Sequence, residues 1–244
     1  MFMFSRYISD VAEKYTDKII LQVSKSCVSL YKYNFPQYTI YPDNMPVPES
    51  EYDYSTFFMV LPYNLSIDMN HISHSDGWLK VSDETVREKS NFDFLNTDKL
   101  KVGIYWQGNP SILKNRSVKL KYFTPLFDID KIQIYSFQIS TVDFESDDLK
   151  SQLPMIDLAP YIKNYEDTAA FLKNIDVLIT IDTSIANLAG SMGIKTYMLL
   201  PYYPEWRWFN DTETTPWYDS VRIFKQKTPG DWSEVINRVK EKLI

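Results

Sequence analysis

Apolar positions recur at helical spacing at the start of the chain, through Phe4, Tyr7, Ile8, Val11, Ala12 and Tyr15. This predicts a helix over residues 1–15 whose apolar opening is a buried first turn. The run KIILQV at 18–23 is β-branched and apolar and predicts a buried strand; a second short strand is expected at 38–41. Residues 42–55 contain three prolines and several acids and are expected to loop, and FFMVL at 57–61 predicts another buried strand, stopped by Pro62. Residues 63–98 are polar and weakly periodic, which places the link between two halves near 90–100. The pattern then becomes regular. Strands are expected at 101–106, 131–137, 154–158, 177–182, 195–200 and 221–225, with helices at 119–128, 143–150, 166–174, 184–192 and 231–243. Short apolar strands alternating with helices predict a parallel sheet covered on both faces. Ligands of such sheets sit at the carboxyl ends of the strands, which directs attention to the loops after Trp106, Leu158, Asp182 and Leu200.

Composition narrows the class. At 244 residues with 44% hydrophobic positions, the chain is long enough for a sizeable core, and 18 Tyr, 14 Phe and 6 Trp exclude a disordered chain. Lys and Arg number 26 against 32 Asp and Glu, a net charge of −6, which argues against a general nucleic-acid binder but permits a local basic pocket. The lone Cys27 excludes an internal disulfide framework and suits a reducing compartment. No apolar run approaches the roughly 18 residues of a membrane span, and the short apolar start lacks the features of an export signal. A cytoplasmic location is expected.

Three loops could carry chemistry. The first, QGNPSILKNRS at 107–117, follows a clean strand; Gly108 permits a turn, and Asn109, Lys114, Asn115 and Arg116 offer donors suited to a diphosphate. The same residues also fit an ordinary solvated loop. In the second, the strand VLITI runs into Asp182, and a small-residue helix follows at once. Thr183 and Ser184 can cap that helix, and its free N–H groups form an anion site. A plain helix cap is the alternative. Asp182 would repel a phosphate unless it holds the backbone or a ribose hydroxyl. In the third, Glu205 and Arg207 lie among large aromatics and could contact a sugar; an Arg stacked on Trp in a structural corner fits equally.

Other motifs fail. His71 and His74 form an H-x-x-H without further ligands, so no metal site is assigned and surface histidines are expected. The glycine-rich dinucleotide fingerprint, the P-loop and the serine nucleophile elbow are all absent. With 32 acids, no carboxylate pair can be chosen by spacing.

The run VGIYWQGNP…KNRSVKL resembles the opening of the C-terminal domain of family 9 glycosyltransferases, the heptosyltransferase-like group often fused to tetratricopeptide repeats. The stretch DLAPYIKNYEDTAAFLKNIDVLITIDTSIANLAGSMGIKTYMLLPYYPEWRW, followed by PWYDSVRIFKQKTPGDW, is similar to the same group almost throughout. The resemblance covers residues 100–244 strongly and 1–99 weakly. It implies a GT-B-like α/β fold with two Rossmann-like lobes facing a cleft. Residues 1–97 would be the acceptor-side lobe and 98–244 the nucleotide-sugar-binding lobe. The implied reaction moves a sugar from a nucleotide-diphosphate sugar to a hydroxyl acceptor, with no further cofactor and no demand for metal. The loop from Asn109 to Arg116 would approach the diphosphate, with Arg116 the principal cation, and Thr183 and Ser184 would meet the phosphates. Asn187 stands where relatives usually carry His. The loop after 155–158 would bracket the base.

One departure bears on activity. Relatives begin with a strand and a glycine-rich loop before the helix matching FSRYISDVAEKY, and here Met1 falls at or just before that helix. The first lobe is therefore expected to be incomplete, no catalytic base is nominated, and an open sheet edge gives a reason to expect self-association. A degenerate GT-B protein that binds a nucleotide or glycan without turnover is the first alternative; a sugar-nucleotide epimerase is the second.

Overall fold

The computed structural model describes residues 1–68, 72–73, 75–108, 116–139, 144–208 and 212–244. Two short strands, β1 (Ile20–Val23) and β2 (Thr39–Pro42), pair in parallel. Six more strands form one parallel sheet: β3 (Leu100–Tyr105), β4 (Ile132–Ser136), β5 (Met155–Asp157), β6 (Val177–Ile181), β7 (Thr196–Leu200) and β8 (Val221–Lys225). Their spatial order is β5-β4-β3-β6-β7-β8. The chain thus builds outward on one side from β3, then returns to the middle at β6 and builds outward on the other. The reversal falls between β3 and β6, which pair from Val102 with Val177 to Tyr105 with Thr180. Every residue of β6 (VLITI) and β7 (TYMLL) is buried, as expected of strands covered on both faces.

The helices are α1 (Ile8–Lys14), α2 (Val28–Asn34), α3 (Leu61–Asn64), α4 (Asp83–Ser90), α5 (Thr124–Phe127), α6 (Phe144–Gln152), α7 (Tyr165–Lys173), α8 (Ser184–Ser191) and α9 (Trp232–Leu243). The chain opens with a 3-10 helix, Phe2–Tyr7, buried throughout. One expectation is corrected here. Residues 57–61 form no strand: Phe58–Val60 is a 3-10 turn leading into α3, and Pro62 sits in the first turn of that helix rather than ending an element. Phe57 and Met59 are 80% and 61% exposed, and of this run only Leu61 is buried in the core. The polar stretch before residue 98 contains α4, which packs on α7 through a buried ion pair, Lys89 Nζ to Asp167 Oδ1 at 2.8 Å.

Helix α8 is the hub. The opening 3-10 helix packs on it, and its last turn is gripped by residues 77–79, with the N–H groups of Trp78 and Leu79 both donating to the Ser191 carbonyl at 2.8 Å. Gly193 ends the helix at φ 68°, the left-handed conformation that suits glycine. A side chain on Gly190 would lie 2.5 Å from Tyr218 Cγ, so the absent Cβ lets that ring press against the helix. Arg6 completes the contact. It is 2% exposed, and its guanidinium donates to the carbonyls of Met3 (2.9 Å), Ser73 (3.0 Å) and Trp217 (2.6 Å) while lying 4.1 Å from the Trp78 ring centroid.

Candidate functional site

The loops after β3 and β6 meet at the reversal of strand order, the position where open parallel sheets bind ligands. The loop after β3 is pinned from the neighbouring strand. Gln138 Oε1 accepts from the N–H groups of Trp106 (3.3 Å) and Gln107 (3.0 Å), and its Nε2 donates to the Gln107 carbonyl at 3.0 Å. The Gly108 N–H donates to Ser117 Oγ at 3.1 Å. A Cβ on Gly108 would stand 3.0 Å from Arg116 Nε, so this glycine leaves room for the guanidinium to lie across the backbone. Arg116 Nη1 then crosses to the other loop and donates to the Asp182 carbonyl at 3.0 Å. Arg116 Nε is buried without a hydrogen-bond partner among the described residues.

The second loop leads into α8. Thr183 occupies the cap position, but its side chain makes no capping bond; Thr183 Oγ1 donates back to the Ile181 carbonyl at 3.3 Å. The starts of α4, α7 and α9 are capped by Ser82, Asn164 and Asp231 respectively. The opening N–H groups of α8 thus lack the side-chain acceptor those three helices have, and they carry the positive end of the helix dipole.

These residues surround a cavity of ≈ 330 Å³ walled by Tyr105, Gly108, Arg116, Asp182, Thr183, Ser184, Asn187 and Arg207. The volume falls in the range of small-ligand sites. A second cavity of ≈ 240 Å³ shares Ser184, Asn187 and Arg207 and extends toward Ser24, Ser26, Cys27, Tyr165 and the opening 3-10 helix. The cleft therefore runs between the six-stranded sheet and the first part of the chain.

The structure brings Arg116, Asp182, Thr183, Ser184, Asn187 and Arg207 around one cavity. Asn109 and Lys114 lie outside the described residues, as do His71 and His74. Both polar ends of Asn187 are engaged within the protein: Nδ2 donates to the Thr183 carbonyl (3.0 Å) and Oδ1 accepts from the Tyr218 hydroxyl (2.9 Å). Glu205 and Arg207 bond each other, Nε to Oε2 at 2.6 Å, and only Arg207 is among the cavity walls. That ion pair offsets the charge of Arg207, whereas the Arg116 bond to a carbonyl leaves its charge intact. The Asp182 carboxyl is pushed up by burial, against the opposing pull of the Trp208 indole and of Arg207 and Arg116.

Tyr105, Tyr165 and Gln138 are not among the site residues expected from the sequence. Tyr105 ends a strand one position before the buried Trp106, so alternation alone turns it to the other face. Tyr165 follows the cap residue Asn164 and so opens α7, a position readable from the Asn-x-Glu-Asp pattern. Gln138 leaves no local signal, since its partners lie some thirty residues away.

No protein-family model matches the chain. In sequence it is similar to Protein FlbA of Caulobacter vibrioides, 26% identical over 153 residues, covering 57% of this chain and 24% of that protein. The chain thus spans about a quarter of that relative's length. In structure it is similar over 100% of its length to E. coli ADP-heptose LPS heptosyltransferase II, at a TM-score of 0.65 and 13% identity, covering 95% of that chain. It is also similar to the family 9 glycosyl transferase of Veillonella parvula DSM 2008, at a TM-score of 0.52 and 13% identity over 86% of this chain and 57% of that one. Together with the parallel sheet, these likenesses give the chain the GT-B-like α/β fold of heptosyltransferase II and the family 9 glycosyl transferase.

Proposed function

We propose that the chain is a glycosyltransferase that moves a sugar from a nucleotide-diphosphate sugar to a hydroxyl acceptor, with residues 98–244 on the donor side and 1–97 on the acceptor side. The observation that carries this reading is the pairing of the Arg116 guanidinium with the open start of α8 across the strand reversal. A diphosphate needs donors and positive charge where its own charge grows, and both converge there. In the transfer, the acceptor oxygen bonds to the anomeric carbon, the bond from that carbon to the diphosphate breaks with its electron pair leaving on the diphosphate, and the acceptor hydroxyl gives its proton to solvent. Arg116 and the first turn of α8 would stabilise the departing diphosphate, and Thr183 and Ser184 would hold it there. Among the described residues no helix is long and apolar enough to cross a membrane; a cytoplasmic location is part of the proposal.

Arg116→Ala tests it. A charged hydrogen-bond donor contributes about 1.5–3 kcal/mol, so nucleoside-diphosphate affinity measured by calorimetry falls at least about tenfold. Affinity equal to the unaltered protein's for every nucleoside diphosphate tried removes the reading.

One observation favours binding without turnover as the second reading. Two side chains that wall the smaller cavity, Cys27 and Tyr165, keep their protons at neutral pH: burial pushes the Cys27 thiol up to about 12 and raises the Tyr165 hydroxyl. Neither is a ready proton acceptor. Nucleotide release from a panel of sugar nucleotides, with and without acceptors, separates the two readings.

A further inference from the structure

The bridge between the two cavities is a hydrogen bond from the Tyr165 hydroxyl to Ser184 Oγ at 2.6 Å. Tyr165 walls the smaller cavity, and Ser184 walls both. The Tyr165 ring is held firmly. It opens α7, whose first turn is locked by Asn164 Oδ1 accepting from the N–H groups of Glu166 (2.8 Å) and Asp167 (3.0 Å). Phe2 packs edge-on against the ring with centroids 5.0 Å apart.

The direction of that bond has a consequence. A serine hydroxyl has one proton to give, and its oxygen can accept at the same time. With Tyr165 donating to the oxygen, the Ser184 proton stays available to a ligand, and an accepted hydrogen bond strengthens the hydroxyl as a donor. Ser184 is exposed at the first position of α8, beside the open N–H groups and on the same cavity wall as Arg116. Burial raises the Tyr165 hydroxyl above its ordinary range, so it remains a donor through neutral and mildly alkaline pH.

We propose that Tyr165 is a positioning residue for the phosphate site: it holds Ser184 so that the serine hydroxyl donates to a diphosphate oxygen in the larger cavity. This rests on the glycosyltransferase reading and deepens it. It also links the smaller cavity to the larger one through two side chains.

The experiment titrates inorganic pyrophosphate into the full chain by calorimetry. It compares the unaltered protein with Tyr165→Phe, Ser184→Ala, the double variant, Ser184→Thr and Arg116→Ala, each checked for an unchanged unfolding transition. Tyr165→Phe and Ser184→Ala are each expected to weaken binding about three- to tenfold. The double variant is expected to be no weaker than Ser184→Ala, because Tyr165 acts only through that oxygen. Ser184→Thr, which keeps the hydroxyl, restores affinity, and removing Tyr165 weakens it again. A purely structural tyrosine would not show this dependence on the hydroxyl at 184. If Tyr165→Phe binds like the unaltered protein, or its loss adds fully to that of Ser184→Ala, the positioning role is overturned; a loss with Arg116→Ala would still uphold the phosphate site. If Arg116→Ala also leaves binding unchanged, or the unaltered protein binds no pyrophosphate, both fall.

Discussion

The two parts of this molecule are stabilised in different ways. After residue 98, six parallel strands enclose a hydrophobic cluster drawn wholly from residues 102–239, with Trp106, Phe123, Ile179 and Val235 among its buried members. Before residue 98 the only sheet among the described residues has two strands of four residues. The buried residues of this first part belong to clusters that it shares. Met3, Phe4 and Tyr7 sit with Ala186, Met198, Trp208 and Trp217, and Leu21, Leu30 and Tyr31 sit with Phe171, Leu188 and Met192. The later region has a core of its own, while the earlier one is ordered by what it docks on. A cleft between them therefore has one rigid wall and one borrowed wall.

The strongest way to break this contrast is to separate the parts. Residues 1–97 alone are expected to show no cooperative unfolding in a urea titration followed by circular dichroism, because a lone two-stranded sheet is marginal and its apolar partners are gone. A sigmoidal transition in that fragment would show that the first region holds its own core.

Next in size is Arg6→Ala. Three carbonyls, those of Met3, Ser73 and Trp217, lose their donor in a buried site, and the Trp78 ring loses its cation. A loss of about 3 kcal/mol or more is expected from urea unfolding of the full chain. Arg6→Lys recovers only part of it, since one ammonium cannot span the three acceptors that the guanidinium fork reaches. A loss under about 1 kcal/mol, the size of one ordinary hydrogen bond, would mean that Arg6 does not couple the parts.

Gly190→Ala is a smaller intrusion at the same junction. Its new methyl would lie 2.5 Å from Tyr218 Cγ, so the ring or the helix must shift, at a cost of about 1–3 kcal/mol. The Tyr218 hydroxyl bonds Asn187 Oδ1, so the shift should also reach the cleft. The expected result is a lower melting temperature together with weaker nucleoside-diphosphate binding. A change in melting temperature alone would confine Tyr218 to packing.

The same division explains what the sequence discloses. Strands of the later region stand as short apolar-rich runs between helices, and the structure places them within a residue or two of the expected bounds: 177–182 expected and Val177–Ile181 observed, 221–225 expected and Val221–Lys225 observed. Strand-to-helix junctions in a parallel sheet locate the cleft, so Arg116 and the start of α8 could be singled out before their bond across the strand reversal was seen. In the earlier region the same rule fails. FFMVL has the composition of a buried strand, but it lies on helical turns that expose Phe57 and Met59 and bury Leu61. Helix α4 has only Val86 as an aliphatic residue in DETVREKS, and its grip on α7 is an ion pair that periodicity cannot register. Gln138, Arg6 and Tyr165 escape for a common reason: each has a polar partner remote in sequence, and such bonds leave no periodic pattern.

The smallest effect tests the rigid wall itself, at the point where its apolar sheet ends in a carboxyl group. Asp182 is 4% exposed, and burial holds its carboxyl above the ordinary 3.8. The folded protein therefore keeps a proton that the unfolded chain has released. Stability falls as pH rises from that ordinary value through the raised one, then levels off. Asp182→Asn removes the ionisation and keeps the shape. Its melting temperature should exceed that of the unaltered protein at pH 7, and the gap should close as the pH is lowered toward 4. The Arg116 bond to the backbone carbonyl of residue 182 does not involve this side chain, so pyrophosphate binding should survive or tighten as a nearby negative charge is lost. Parallel melting curves across the pH range would show that the carboxyl is solvated in the cleft. The later region would then have no charge stored beneath its phosphate wall, and Asp182 would be free to meet a ligand hydroxyl as an ordinary carboxylate.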